Sequence, residues 1–148
     1  MPITYREATI DDIPVIMEIR FAVKENVLSN PNAVTPAMCI DYLDKLGHGW
    51  VAEIDQQVVG FSYAASEDNS IWALFVLPEF EGRGIGKNLL TLATDWLFQR
   101  GADHIKLGTQ PNTRADRFYG LQAWVRGEMK NHSEVNYTLD RPAYFLSD

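Results

Sequence analysis

Gly84 and Gly86 stand two apart in the stretch FEGRGIGKNLL, residues 80–90, between Arg83 and Lys87, where an extended apolar run gives way to a helical pattern. Glycines there let the chain turn tightly after a strand while keeping backbone N–H groups uncovered by side chains. At a helix start those N–H groups lack intrahelical partners, and the helix dipole favours an anion. A pyrophosphate is the natural guest, with the cations of Arg83 and Lys87 beside it. The bland alternative is a glycine-rich helix entry with two solvated cations, since glycine is also the default turn residue. Two common nucleotide fingerprints fit poorly. A GxGxxG motif would need a third glycine where Leu89 stands, and a P-loop would need a glycine pair with four residues between them and a hydroxyl where Asn88 stands.

Other side chains with chemical potential are fewer. Tyr119 could donate a proton or could simply pack its helix on a sheet, with Phe118 competing for the inward position. Cys39 has no histidine at a recognisable spacing to act as its base, and buried cysteine is common. His48, His104 and His132 are isolated, and no two have metal-ligand spacing, so no metal is expected.

The elements that must position these groups follow from pattern. Residues 3–8 suggest a first strand, and Asp11 or Asp12 can cap a helix with the stripe Ile13, Ile16, Met17 and Phe21. After the loop NVLSNPNAVTP, Thr35 can cap a second helix beginning at Pro36, with Met38, Tyr42 and Leu46 below. Gly47 to Gly49 interrupt the helical pattern. WVAEI, VVGFSYA and IWALFV then read as three antiparallel strands, the first two joined at Asp55 to Gln57. From Gly84 the pattern turns helical, with Leu89, Leu90, Ala93, Trp96 and Leu97 on one apolar face. HIKLGT is a strand expected parallel to IWALFV, residues 113–121 a helix, and WVRGEM with VNYTL a final hairpin around KNHS. The class is α+β or mixed α/β, a sandwich on one central, mostly antiparallel sheet flanked by helices.

The 148 residues, 46% of them hydrophobic, suffice for one domain with a substantial core, and residues 1–148 are read as one unit. A formal net charge of -7 works against a nucleic-acid partner, and basic residues are scattered apart from Arg114 and Arg117. No run of eighteen uncharged apolar residues marks a membrane protein, and the first residues lack a signal-peptide core. One cysteine cannot form an intramolecular disulfide, so the cytoplasm is the expected compartment.

The stretch LFVLPEFEGRGIGKNLL resembles the acetyl-CoA binding segment of the GCN5-related N-acetyltransferase superfamily, whose pattern is Gln or Arg, two residues, Gly, any residue, then Gly or Ala. NTRADRFY adds Asn112, Ala115 and Tyr119 at the family's usual separations. The order of elements from Ile3 to Leu139 matches the acyl-CoA N-acyltransferase fold. The resemblance implies that the backbone of Leu74, Phe75 and Val76 pairs with the pantetheine arm. It implies that amides around Glu81, Gly82, Arg83, Gly84, Ile85, Gly86 and Lys87 receive the pyrophosphate, and that Asn112 approaches the cofactor from the other side. Tyr119 would stand near the sulfur as general acid toward the departing thiolate, and the N–H near Leu74 would face the developing oxyanion.

Three departures from the family stand out. Glu81 occupies the Gln or Arg position, so its carboxylate must point away from the phosphates. Ala123 and Trp124 stand where glycine and phenylalanine are common, which reads as a change of packing. Trp72 lies where some members place a histidine or acid, and neither an indole nor Ser70 is a base at neutral pH, so the general base is unassigned. The resemblance also implies an acceptor wall from the first two helices, their loop and the final hairpin, here including Phe21, Glu25, Asn26 and Asn136.

The expected activity is transfer of the acetyl group of acetyl-CoA directly to a primary amine of a small molecule or peptide. The alternative is a non-catalytic acyl-CoA-binding domain of the same fold. By family analogy alone, pairing through a sheet edge or a terminal segment would give a homodimer; the sequence itself leaves the oligomeric state open.

Overall fold

The structure, a computed structural model, describes residues 2–22, 36–41, 43, 47–109, 111–129 and 134–142. Seven strands form one sheet: β1 (Thr4–Glu7), β2 (Gly47–Ile54), β3 (Gln57–Ala65), β4 (Ser70–Val76), β5 (His104–Thr109), β6 (Val125–Met129) and β7 (Val135–Asp140), in the order β1-β2-β3-β4-β5-β7-β6. All neighbours are antiparallel except β4 and β5. Among the described residues four α-helices accompany it: α1 (Ile13–Ala22), α2 (Pro36–Asp41), α3 (Ile85–Gln99) and α4 (Arg114–Leu121). Among the described residues no helix is long and apolar enough to cross a membrane.

The apolar runs of β2 and β3 are near-continuous because both faces of that half of the sheet are covered. Ile13, Ile16 and Ile19 of α1 and Cys39 of α2 pack with Val51, Phe61, Tyr63 and Phe75 on one face. Leu89, Leu90, Ala93 and Leu97 of α3 pack with Trp50, Ala52, Val59 and Ile71 on the other. Beyond β4 the covering changes. β5 alternates exposed and buried residues, with Ile105, Leu107 and Thr109 inward, as a strand with one buried face must.

Local chemistry explains most boundaries. Asp55 and Gln56 take positive φ of 51° and 68°, the two-residue turn whose twist suits a hairpin. The Gly47 to Gly49 segment lies inside β2 rather than before it. A Cβ on Gly49 would sit 2.8 Å from Cε1 of the buried Tyr63 ring directly opposite, so glycine is what lets the ring lie across the strand. The first helical segment is capped by Thr9 and not by Asp11 or Asp12. Asp12 sits three residues on, and its Oδ2 accepts from the Thr9 N–H at 2.7 Å, forming a capping box ahead of a single 3-10 turn at Ile10–Asp12. Trp96, expected in the core, is only half-buried; His48 stacks on it at 5.5 Å and the Arg100 guanidinium lies 4.7 Å above its ring. Thr35, Tyr42, Leu46 and the KNHS turn lie outside the described residues, as does the side chain of Met38.

Helices α3 and α4 end in the same hydrogen-bond pattern, with one difference that matters. After α3, Gly101 N–H donates to Phe98 and Ala102 N–H to Leu97, closing a Schellman motif around Gly101 at φ 101°. After α4, Ala123 N–H donates to Gly120 and Trp124 N–H to Tyr119, but the left-handed position is Ala123 at φ 70°. The alanine therefore strains the backbone, so the departure at 123 is conformational rather than one of packing. Ala123→Gly is expected to raise stability by about 0.5–1 kcal/mol, relief of the left-handed Cβ outweighing the added freedom of the unfolded chain. Urea unfolding of the two proteins measures it.

Candidate functional site

The site begins where a strand pair fails to close. β4 and β5 are bonded near Ser70 and Lys106, where Lys106 N–H donates to the Asn69 carbonyl at 3.1 Å, and Ser70–Lys106 is the one register pair between them. The rest of β4 has no ladder on that side. On its other edge, Leu77 N–H donates to Val59 at 2.9 Å, and the register pairs Phe61 with Phe75 and Ser62 with Leu74. Bonded and non-bonded pairs alternate in an antiparallel ladder, so Phe75 is turned to β3 while the main-chain groups of Leu74 and Val76 face the seam. Upstream, the register shifts between Tyr63 and Ala64 against Ala73 and Ile71, a bulge at Trp72. Trp72 and Ala73 accordingly both pack on the α1 face, and the bulge bends the strand where the seam opens.

A cleft of about 360 Å³ fills this opening. Leu74, Phe75 and Val76 form one wall, and Ala115, Phe118, Tyr119 and Gln122 of the α4 segment form the other. The glycine turn closes one end. Gly82 and Gly84 take φ of 80° and 79°, and a Cβ on either would meet nothing within 4 Å, so both open onto free space. Gly84 caps α3 without a side-chain bond, and its carbonyl accepts the first helical N–H, from Asn88, at 3.1 Å. The N–H groups of Ile85, Gly86 and Lys87 therefore precede the first intrahelical bond. A Cβ on Gly86 would stand 3.6 Å from Phe118, on the opposite wall. Glycines here keep the mouth wide and its amides bare, the property an oxyanionic guest requires.

The α4 wall is fixed by one buried carboxylate. Asp116 accepts from the Asn112 N–H at 2.8 Å and from Arg126 Nε at 3.1 Å, and it accepts the hydroxyl of Tyr137. Tyr137 also donates to the Asp116 carbonyl at 2.7 Å. Arg126 leads the causes that hold the Asp116 carboxyl at about 2, well below the usual carboxylate range, with Tyr137 and the Asn112 amide adding to it. Thr113 caps α4 by accepting the Asp116 N–H at 3.2 Å. The ring of Tyr119 then rests on Tyr137 at 5.7 Å and Trp124 at 5.9 Å. Asp116 thus joins α4, β6, β7 and the turn before α4, and through Tyr137 it sets the ring on which Tyr119 lies. Burial pushes the Tyr119 phenol well above its ordinary value, which keeps it a proton donor at any working pH.

Of the residues the sequence singles out, Leu74, Phe75, Val76, Glu81, Gly82, Gly84, Ile85, Gly86, Lys87, Ala115 and Tyr119 line this one cleft. Arg83 and Asn112 do not. Arg83 lies over the Phe80 ring at 5.2 Å, and Asn112 holds φ 62° in the turn before α4, a conformation asparagine tolerates better than most residues. The Glu81 carboxylate meets Arg114 Nη1 at 2.9 Å across the mouth. Phe80, Arg114 and Gln122 line the cleft without having been singled out, and Asp116 was missed although the Thr113-x-x-Asp116 spacing is a helix-capping signal.

The other candidates take structural roles elsewhere. Burial pushes the Cys39 thiol up to about 11, and its Sγ lies 3.8 Å from the Met17 sulfur. Ser70 Oγ donates to Asp68 at 2.7 Å, and Trp72 meets Tyr63 edge-on at 5.3 Å. His48 Nε2 lies 2.7 Å from Glu7. Among the described residues no group of three or more His, Cys, Asp or Glu could hold a metal ion. Glu25, Asn26 and His132 lie outside the described residues, as does the side chain of Phe21. Asn136 lies in β7 opposite Gly108.

Comparison with known proteins bears on the whole arrangement. Residues 16–122 match the family described as the acetyltransferase (GNAT) family. An uncharacterized N-acetyltransferase of Archaeoglobus fulgidus is 38% identical over 88 residues, covering 53% of this chain; the match spans 60% of that relative's length. The fold is that of the PaiA N-acetyltransferase of Thermoplasma acidophilum, solved in complex with coenzyme A, at TM-score 0.81 and 18% identity over 95% of this chain and 100% of that one. An N-acetyltransferase of Staphylococcus aureus Mu50 superposes at TM-score 0.79 with 17% identity, over 95% of this chain and 99% of the other.

The Asp116 network yields an acid signature. Its carboxyl is held near 2 in the folded protein against about 3.9 in a free chain, so its contribution is complete above about pH 4 and is lost as pH falls toward 2. Asp116→Asn is expected to lower stability at pH 7 by about 2 kcal/mol and to flatten the loss between pH 4 and 2. Urea unfolding across that range measures both.

Proposed function

The chain belongs to the acetyltransferase (GNAT) family, and we propose that it transfers the acetyl group of acetyl-CoA directly to a primary amine of a small molecule or an exposed peptide. The observation that carries this reading is the half-open β4–β5 seam, whose unladdered main chain lies in one cleft with the glycine turn and Tyr119. These features fit the ligand in kind. Main-chain groups of Leu74 and Val76 match an arm carrying amides, and the bare amides at Ile85, Gly86 and Lys87 match a pyrophosphate. Bound acetyl-CoA would supply an acyl group on a thiolate leaving group.

The chain's own residues then have distinct tasks. The seam orients the thioester by pairing its arm like an added strand, so that proximity does much of the work. Leu74 N–H, turned into the seam beside the Trp72 bulge, is the donor aimed at the developing oxyanion. Tyr119 keeps its proton, because burial raises its phenol, and delivers it toward the departing thiolate, the proton shed by the attacking amine restoring the phenol. Glu81 engages Arg114, so its carboxylate does not stand alone where the phosphates would lie.

Calorimetric titration with acetyl-CoA, competed by desulfo-CoA, is expected to show saturable binding at one site; turnover is then sought across an amine panel. Tyr119→Phe is expected to keep cofactor affinity within about threefold and to lower kcat at least about tenfold, short of the largest losses on removing a positioned acid. An unchanged rate and pH profile would remove Tyr119 from the acid role. Binding without turnover on any amine would favour the non-catalytic acyl-CoA-binding domain.

A further inference from the structure

Arg114 is the first residue of α4 and Glu81 lies in the turn after β4, so their 2.9 Å ion pair spans the mouth of the cleft from wall to wall. Glu81 is the more enclosed of the two, its side chain 29% exposed against 57% for Arg114. Both line the cleft beside Gly82, Gly84 and Gly86, the turn whose bare amides suit an anion. A carboxylate is the wrong charge for that place. Standing alone it would repel any phosphate brought to the turn. Lys87 also lines the cleft, whereas Arg83 is laid over Phe80, which leaves Arg114 as the cation joined to Glu81.

We propose that Arg114 is the residue that makes the cleft selective for a pyrophosphate-bearing ligand, by neutralising Glu81 at the glycine turn. The inference rests on the acyl-CoA reading and adds a positioning residue to it. A guanidinium has five N–H donors in a planar fork, so Arg114 can hold Glu81 through Nη1 and still present positive charge to the mouth. The pair works as one unit: the cation is needed because the carboxylate is there.

A double-mutant cycle tests this, read by calorimetric titration of CoA and of dephospho-CoA into the full chain, with thermal unfolding to confirm that each variant is folded. Arg114→Gln is expected to weaken CoA binding at least about tenfold, and dephospho-CoA by the same factor, since both carry the pyrophosphate. Glu81→Gln is expected to bind as tightly as the native chain or up to about threefold tighter, and the double variant to recover most of the loss. Three results would overturn the proposal. Arg114→Gln within about twofold of the native affinity would make the bridge an ordinary surface ion pair. An equal loss in the double variant would show that Arg114 acts independently of Glu81. A loss confined to CoA would move Arg114 to the 3′-phosphate. Failure of the native chain to bind either ligand is a different outcome, and it would sink the acyl-CoA reading itself.

Discussion

A parallel strand pair that bonds near one residue pair and then parts is the constraint from which the rest of the arrangement follows. Backbone N–H and C=O groups require partners, and a strand that loses its neighbour in mid-sheet leaves a row of them facing a gap. At Leu74 and Val76, β4 is in that state, bonded to β3 on one side through its neighbours and without a β5 ladder on the other. The gap cannot close, because α4 and its neighbours hold the second wall in place. What the seam can accept is another extended chain bearing amides, which is why we propose this sheet defect as the binding site.

Both walls are held by interactions remote from the gap. On the β4 side, the Trp72 bulge turns two successive residues toward the α1 layer, and Trp72 meets Tyr63 there. On the α4 side, Asp116 gathers the Asn112 amide, Arg126 and Tyr137, so one buried carboxylate sets the helix start and the ring beneath Tyr119. Tyr119 is thus oriented by packing and kept protonated by burial, two consequences of one environment.

The sequence carried the local parts of this account and lost the non-local ones. Gly84 and Gly86 could be read as an anion-receptive helix entry because their conformational freedom acts within a few residues, and the structure gives Gly84 the left-handed φ of 79°. The tight β2–β3 connection was legible for the same reason. The divergence of β4 from β5 depends on register between strands some thirty-five positions apart, which no local pattern encodes. The Glu81–Arg114 bridge and the Asp116–Tyr137 contact join elements separated in the chain. Trp96 fitted the helical stripe by spacing, yet it reaches the edge of the layer, where His48 and Arg100 cover it. Ala123 illustrates the converse. It looked like a change in side-chain volume, but its φ of 70° makes it a matter of backbone strain.

Residue-resolved amide exchange with and without acetyl-CoA tests the central claim most directly. The Leu74 and Val76 N–H groups face the seam, whereas the Phe75 N–H is turned to β3. Saturating acetyl-CoA is expected to slow exchange at Leu74 and Val76 at least about tenfold while leaving Phe75 nearly unchanged, as partners are gained on the open side only. Unchanged exchange at Leu74 and Val76 in protein that demonstrably binds acetyl-CoA would contradict the account, because the ligand would then lie elsewhere than in the seam.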